Sequence, residues 1–278
     1  MKLSVIGLTL SLACLGPVTA FAQLQLLPDK APQSIFGSNA RQISAVWHNA
    51  GQQTFEGEIQ MRIFQATSAT AVRLGEQPWK KFQVLPGQTV IESASLDFPT
   101  VRAETKFLVQ WLENTNRVLG TTEVLVYPTN LLAELKTLVG EDQPVGVFDP
   151  GNGLKPLLKT LKVEYEDLED SGVATFAGKL TIIGPFAARE QMPSDLAERI
   201  VKLAGKGTGV VWLRPPPEPH ARLNPAFYAV PVGAGTVVVV QATFVTGLAN
   251  NPQAQLNLLH CCRLARNPEP LSIPDLAP

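Results

Sequence analysis

Hydrophobic periodicity changes three times along the chain. The first stretch has Lys2 followed by an uncharged apolar run, Leu3 to Leu15, and ends at Ala20-Phe21-Ala22. A basic start, an apolar run shorter than the ~20 residues a bilayer needs, and a small-x-small site together read as a signal peptide over residues 1–22. A buried N-terminal helix is the alternative. Cys14 follows Ser11-Leu12-Ala13, a poor lipoprotein box because the Leu is misplaced, so lipidation there is the lesser possibility. From Gln42 to Val126 the period is two. Ile43, Ala45 and Trp47 alternate with Ser44, Val46 and His48; Ile59, Met61 and Ile63 alternate with Glu58, Gln60 and Arg62; Phe107, Val109 and Trp111 alternate with Leu108, Gln110 and Leu112. Half-buried strands follow from this pattern, with turns at Asn49-Ala50-Gly51 and Pro86-Gly87. Short strands at this spacing predict a β-sandwich over residues 23–127.

The period switches again at Tyr127-Pro128. Leu131, Leu135 and Leu138 fall on one helical face ending at Gly140, and Val145–Asp149 reads as a short apolar strand. Pro150-Gly151-Asn152-Gly153 turns the chain into a helical stripe of Leu154, Leu157, Leu158 and Leu161. Val163 to Tyr165 is a second short strand and Leu180–Gly184 a third. Asp195 and Glu198 resemble a capping box for a helix with Leu196, Ile200 and Leu203 inward and Gly205 at its end. Gly209–Leu213 is a fourth strand. Val237–Val240 is a fifth, pairing with Phe227–Val230 across Gly233-Ala234-Gly235. Asn251-Pro252 opens a final helix carrying Leu258, Cys261, Cys262 and Ala265. Alternating strands and helices predict a mostly parallel sheet covered on both faces over residues 128–266. A Pro-rich tail, 267–278, follows.

Composition narrows the function classes. The 278 residues allow one large or two ordinary domains, and 45% hydrophobic content supports packed cores. Net charge is −1, or −2 once Lys2 leaves with the leader, and no basic patch stands out, so nucleic acid is not an expected partner. No later run is long and apolar enough to span a membrane. Apart from Cys14 the cysteines are Cys261 and Cys262, adjacent on a predicted helix and without further ligands at zinc spacing. They read as core residues. No metal site and no cofactor are expected.

The second half resembles the class I glutamine amidotransferase-like superfamily, in its degenerate, β-galactosidase-associated branch. The resemblance rests on Val145–Asp149 with Leu154–Leu161, on Leu180–Pro185 with Asp195–Leu213, and on Gly233–Val240 with Leu248 and Asn251–Leu259. It spans about Thr129 to Ala265 and implies a flavodoxin-like α/β fold. The first half is similar to the immunoglobulin-like sandwiches found beside such domains. The amidotransferase branch places a nucleophilic Cys on the turn between a strand and a helix. Here the matching strand runs into Arg214-Pro215-Pro216-Pro217. There is no thiol or hydroxyl at that turn, and prolines remove N–H groups an oxyanion hole needs. No catalytic residue is therefore assigned.

Open α/β sheets bind ligands beyond the carboxyl ends of their strands. That rule selects Asp149, Asn152, Arg189, Arg214 and His220 as candidate ligand-binding residues. Two arginines with an Asp suit a carboxylate or a sugar hydroxyl; an Asp–Arg ion pair between loops is the structural alternative. His48 and His260 read as structural, and Gly205–Gly209 as a helix-ending turn and not a phosphate loop. The acidic run Glu164, Glu166, Asp167, Glu169 and Asp170 reads as a solvated face, with surface calcium second. The expected protein is an exported, non-catalytic binding or assembly module of the cell envelope. Its partner would be an envelope protein or a carbohydrate. The alternative is a carbohydrate-processing hydrolase or its accessory subunit.

Overall fold

A computed structural model describes residues 23–38, 40–114, 117–140, 143–186, 189–215 and 227–267. Residues 1–22, read above as a signal peptide, His220 and the residues beyond Asn267 lie outside the described residues. The first half is built of strands: β1 (Leu24–Leu27), β2 (Gln33–Phe36), β3 (Ala40–Asn49), β4 (Phe55–Ala66), β5 (Ala71–Val84), β6 (Thr89–Asp97), β7 (Thr105–Glu113) and β8 (Arg117–Tyr127). They form one sheet in the order β1-β3-β6 and a second in the order β2-β8-β7-β4-β5. The period-two reading holds at most positions; Leu112, expected to alternate with the buried face, is itself buried. Ile43, Ala45, Trp47, Ile59, Met61, Phe107, Val109 and Trp111 are buried, as is Ile63 at the threshold of exposure. Trp47 of β3 meets Trp111 of β7 edge to face at 5.3 Å and Phe82 of β5 at 5.8 Å. The Trp111 indole N–H donates to Thr122 Oγ1 at 2.9 Å, which satisfies a buried donor. The β4–β5 ladder shifts register between Ile59 and Gln60 and between Ile63 and Phe64. These bulges, with Pro78 and the cations Arg73, Lys80 and Lys81 on β5, guard that strand against edge-to-edge pairing.

After Tyr127 the chain changes class. A 3-10 turn, Leu131–Glu134, leads into α1 (Leu135–Val139). Then come β9 (Val145–Phe148), α2 (Lys155–Thr160), β10 (Tyr165–Asp167), α3 (Leu168–Ser171), β11 (Leu180–Ile183), α4 (Leu196–Gly205), β12 (Gly209–Arg214), β13 (Phe227–Val232), β14 (Gly235–Gln241) and α5 (Pro252–Arg266). The sheet order is β10-β9-β11-β12-β14-β13. Every neighbouring pair is parallel except β13–β14, the antiparallel hairpin across Gly233-Ala234. Both faces are covered. Val145, Val147, Val211, Leu213, Val238 and Val240 pack in one cluster with Leu135, Leu158, Leu258 and Cys262. Phe148, Ile183, Val210, Val237 and Val239 pack in another with Leu168, Leu196, Ile200 and Leu203. Burial on both faces is why these strands are continuous apolar runs instead of alternating ones. The protein therefore combines a β-rich part with an α/β part.

Packing divides the chain into two units. The described residues of Met1–Ala31, Gln42–Ala94 and Leu108–Glu123 form one; those of Pro32–Arg41, Ser95–Phe107 and Val124–Pro278 form the other. β2 joins the second unit because it pairs with Val124–Tyr127 and lies against α5. Three details differ from the sequence reading. The second strand of the α/β sheet is Tyr165–Asp167, two residues later than expected. The first helix buries Leu132, Leu135 and Val139, because it begins as a 3-10 turn with a different period. Asp195 does not cap α4; at ψ 3 it lacks the extended backbone a cap needs, and its carboxylate pairs with Arg199 at 2.6 Å.

Candidate functional site: the carboxyl edge of the α/β sheet

β9 has β10 on one side and β11 on the other, so the chain reverses direction across the sheet there. In open sheets that reversal opens a crevice beyond the strand ends. Asp149 leaves the end of β9 at that point. It is fully buried. Its carboxylate accepts N–H bonds from Gly153 (3.1 Å), Leu154 (2.6 Å) and Lys155 (3.1 Å). An anion at the start of α2 is thus supplied by the chain itself, meeting N–H groups that a helix leaves unpaired. None of its partners is an arginine. Asn152 adopts φ +50, which lets the loop double back, and its N–H bonds the Asp149 carbonyl at 3.0 Å. The adjacent loop presses onto this turn. A Cβ on Gly153 would lie 3.3 Å from Pro185 Cγ, and one on Gly151 3.6 Å from the Pro185 carbonyl. Gly184, at φ +93, allows that approach; a Cβ there would stand 2.6 Å from the Leu213 carbonyl oxygen.

Behind the loop lies a clamp the sequence reading did not foresee. Lys155, 8% exposed, reaches Asp167 at 2.6 Å and also bonds Glu169. Burial works to lower the ammonium's pKa, yet the two carboxylates outweigh it and hold it above its ordinary value. Burial likewise raises Asp167, but Lys155 and the Glu169 N–H bring its carboxyl below its ordinary range. Asp167 also caps α3 by accepting from the Glu169 N–H at 3.0 Å. Two members of the acidic run are therefore structural partners of a buried lysine, which corrects the reading of a simple solvated face. The signal available in sequence was a Lys beside Leu154, inside an otherwise apolar stripe.

The other candidates are spread along the same edge. Arg189 begins a 3-10 turn, Arg189–Gln191, after the β11 loop. Arg214 ends β12 and pairs in register with Gln241. Its guanidinium carbon sits 5.3 Å from the Trp212 ring centroid. The Trp212 indole N–H is buried without a hydrogen-bond partner among the described residues; sequence reasoning missed Trp212 because nothing in a single aromatic marks it. Cys261 and Cys262 are free and buried in α5. Burial pushes the Cys261 thiol up to about 12 and holds Cys262 well above its ordinary value, so neither is a ready thiolate. His48 meets Thr89 Oγ1 at 3.0 Å, and His260 lies edge-on to Phe227. Gly205–Gly209 ends α4 and starts β12, with Gly207 at φ +101.

Among the described residues no helix is long and apolar enough to cross a membrane, and no cluster of metal-binding side chains occurs. No protein-family model matches the chain, and no curated protein matches it. Solved structures give only partial likenesses. A β-glucosidase from Listeria innocua in complex with glucose is 13% identical over 38% of this chain and 16% of its own, with TM-score 0.28. A β-glucosidase from Erythrobacter marinus is 12% identical over 38% of this chain and 15% of its own, also with TM-score 0.28. An alkylpurine DNA glycosylase from Pseudomonas fluorescens, bound to DNA containing an abasic site analog, is 13% identical over 38% of this chain and 31% of its own, with TM-score 0.30. This chain spans less than a third of each, and likenesses of this size assign it to no family.

Proposed function

We propose that the protein is an exported, non-catalytic binding or assembly module of the cell envelope, with a degenerate amidotransferase-like domain of flavodoxin type beside an immunoglobulin-like sandwich. The strand order β10-β9-β11-β12-β14-β13 supports the flavodoxin-type reading. The observation that carries the functional reading is the engagement of Asp149. The carboxylate at the sheet's reversal point is buried and bonded to three backbone N–H groups, where a working site would present it to a ligand. The end of β12 adds Leu213-Arg214-Pro215, which offers no nucleophile.

The runner-up, a carbohydrate-processing hydrolase or accessory subunit, needs two carboxylates of opposed acidity. Asp167 and Glu169 share one partner, but Lys155 holds Asp167 below its ordinary range, the opposite of what a general acid requires. Incubating the purified mature chain with L-glutamine and with a panel of aryl glycosides tests the proposal. No ammonia and no phenol release above the uncatalysed rate is expected. Turnover lost on Asp167→Asn or Glu169→Gln would favour the hydrolase; ammonia release lost on Cys261→Ala or Cys262→Ala would favour the amidotransferase.

A further inference from the structure

Trp212 and Arg214 lie two residues apart on β12 and so project from the same face of the sheet, at its carboxyl end. Trp212 packs beside the cluster of Phe148, Ile183 and Phe186, with Met192 at its margin. Its indole N–H is buried and has no hydrogen-bond partner among the described residues, an unfavourable state for a polar hydrogen. The Trp47 N–H is also without a hydrogen-bond partner among the described residues, but Trp47 sits in an aromatic cluster with Trp79, Phe82 and Trp111. Trp212 makes no ring–ring contact among the described residues. Arg214 is half-buried and holds its guanidinium over the Trp212 ring at 5.3 Å, with no hydrogen bond or ion pair to a described residue. Elsewhere in this unit the buried Lys155 pairs with Asp167 and Glu169, and the half-buried Arg266 donates to the Leu138 carbonyl at 3.4 Å and the Lys179 carbonyl at 3.3 Å.

We propose that Trp212 and Arg214 form a subsite for an oxyanion group: a carboxylate, a sulfate or a phosphate ester. The proposal rests on the reading that the carboxyl edge is the ligand-binding face, and it gives that face a chemistry. Every polar hydrogen of the pair is a donor, and neither residue supplies an acceptor. A neutral sugar hydroxyl is held best by a donor and an acceptor together. A planar or tetrahedral oxyanion takes the guanidinium fork through two oxygens. Contact with the ring restrains the guanidinium, so less side-chain entropy is lost when the anion docks. Asp149 does not compete for the arginine, because its carboxylate faces the backbone of its own loop.

The test is a titration of the mature chain, followed by the indole N–H resonance of Trp212, assigned with Trp212→Phe. The probes are sodium acetate, sulfate, phosphate and glucose, with ionic strength held constant by chloride. A saturable shift with one or more of the three oxyanions is expected, with none from glucose; the rank among them identifies which group the site takes. Arg214→Gln should lower the affinity at least tenfold, and Arg214→Lys should recover part of it. Shifts from glucose alone would keep the ligand-binding face and overturn the oxyanion assignment. Unchanged shifts from every probe would overturn both, as would an oxyanion response untouched by Arg214→Gln. Far-ultraviolet circular dichroism of each variant confirms that the fold is kept.

Discussion

Replacing Asp149 by Ala tests the physical core of the account. The substitution removes the acceptor for three N–H groups, two of whose bonds are classed as buried and one as part-buried. Hydrogen bonds to a charged group are worth about 1.5–3 kcal/mol each, and a buried donor left without a partner costs about 1–3 kcal/mol. The Gly153 N–H is the one that water reaches most readily, so it counts for little. The Leu154 and Lys155 N–H groups then give a loss of about 3–6 kcal/mol, above the ~1 kcal/mol of an ordinary exposed helix cap. Asp149→Asn keeps one oxygen in place and gives up the charge, so its loss should be about 1–2 kcal/mol. Urea unfolding followed by the helical circular-dichroism signal reads the effect where it arises, because the helices belong to the second unit. Added formate should restore part of the stability of Asp149→Ala by filling the vacated position, with much less effect on the parent chain. A loss below about 1 kcal/mol for Asp149→Ala would refute the reasoning.

Other expectations follow from the same geometry. Lys155→Met leaves two partly exposed carboxylates that water can serve, so the loss should be about 1–2 kcal/mol in urea unfolding. Asp167 is depressed when folded, so its contribution is present above its ordinary 3.8 and is lost as pH falls through the folded value. Lys155 is raised, so its contribution is present below its ordinary 10.5 and is lost as pH rises through the folded value. Lys155→Met should flatten both flanks of the stability profile. Cys261 and Cys262 should resist Ellman's reagent at pH near 8 until the chain unfolds, and each Cys→Ala change should cost about 1 kcal/mol of packing without touching ligand binding. Mass spectrometry of the protein recovered from the cell envelope should find Gln23 at its start; intact Met1 there would count against export.

The strands of the first half were legible because half-buried sheets write their faces into alternate positions, as at Ile43, Ala45 and Trp47. The strands of the second sheet were legible for another reason: burial on both faces leaves short apolar runs such as Val237–Val240, bounded by turns. Boundaries were less so. Tyr165–Asp167 carries two acids, and its strand character comes from pairing with Val145–Val147, which local sequence does not contain. Asp195 with Glu198 had the residue types of a capping box, but the backbone at Asp195 decided against it. The strand ends were legible in position, and the roles of the residues on them were not. The strand-end rule selected Asp149 and Arg214, yet whether a carboxylate faces a ligand or its own backbone depends on the turn that Asn152, at φ +50, and Pro185 create. Lys155 and Trp212 escaped notice because a buried salt bridge and an unpaired indole are products of tertiary packing.

Native-state hydrogen exchange of the Leu154 and Lys155 amides tests the central claim most directly, namely that the strand-end carboxylate serves the scaffold. Both are bonded to a fully buried Asp149. They should exchange slowly in the ligand-free protein, at rates close to those of the β9 and β11 amides, and lose that protection in Asp149→Ala. Exchange as fast as an open loop in the parent protein would mean that Asp149 is free to meet a ligand, and would contradict the account.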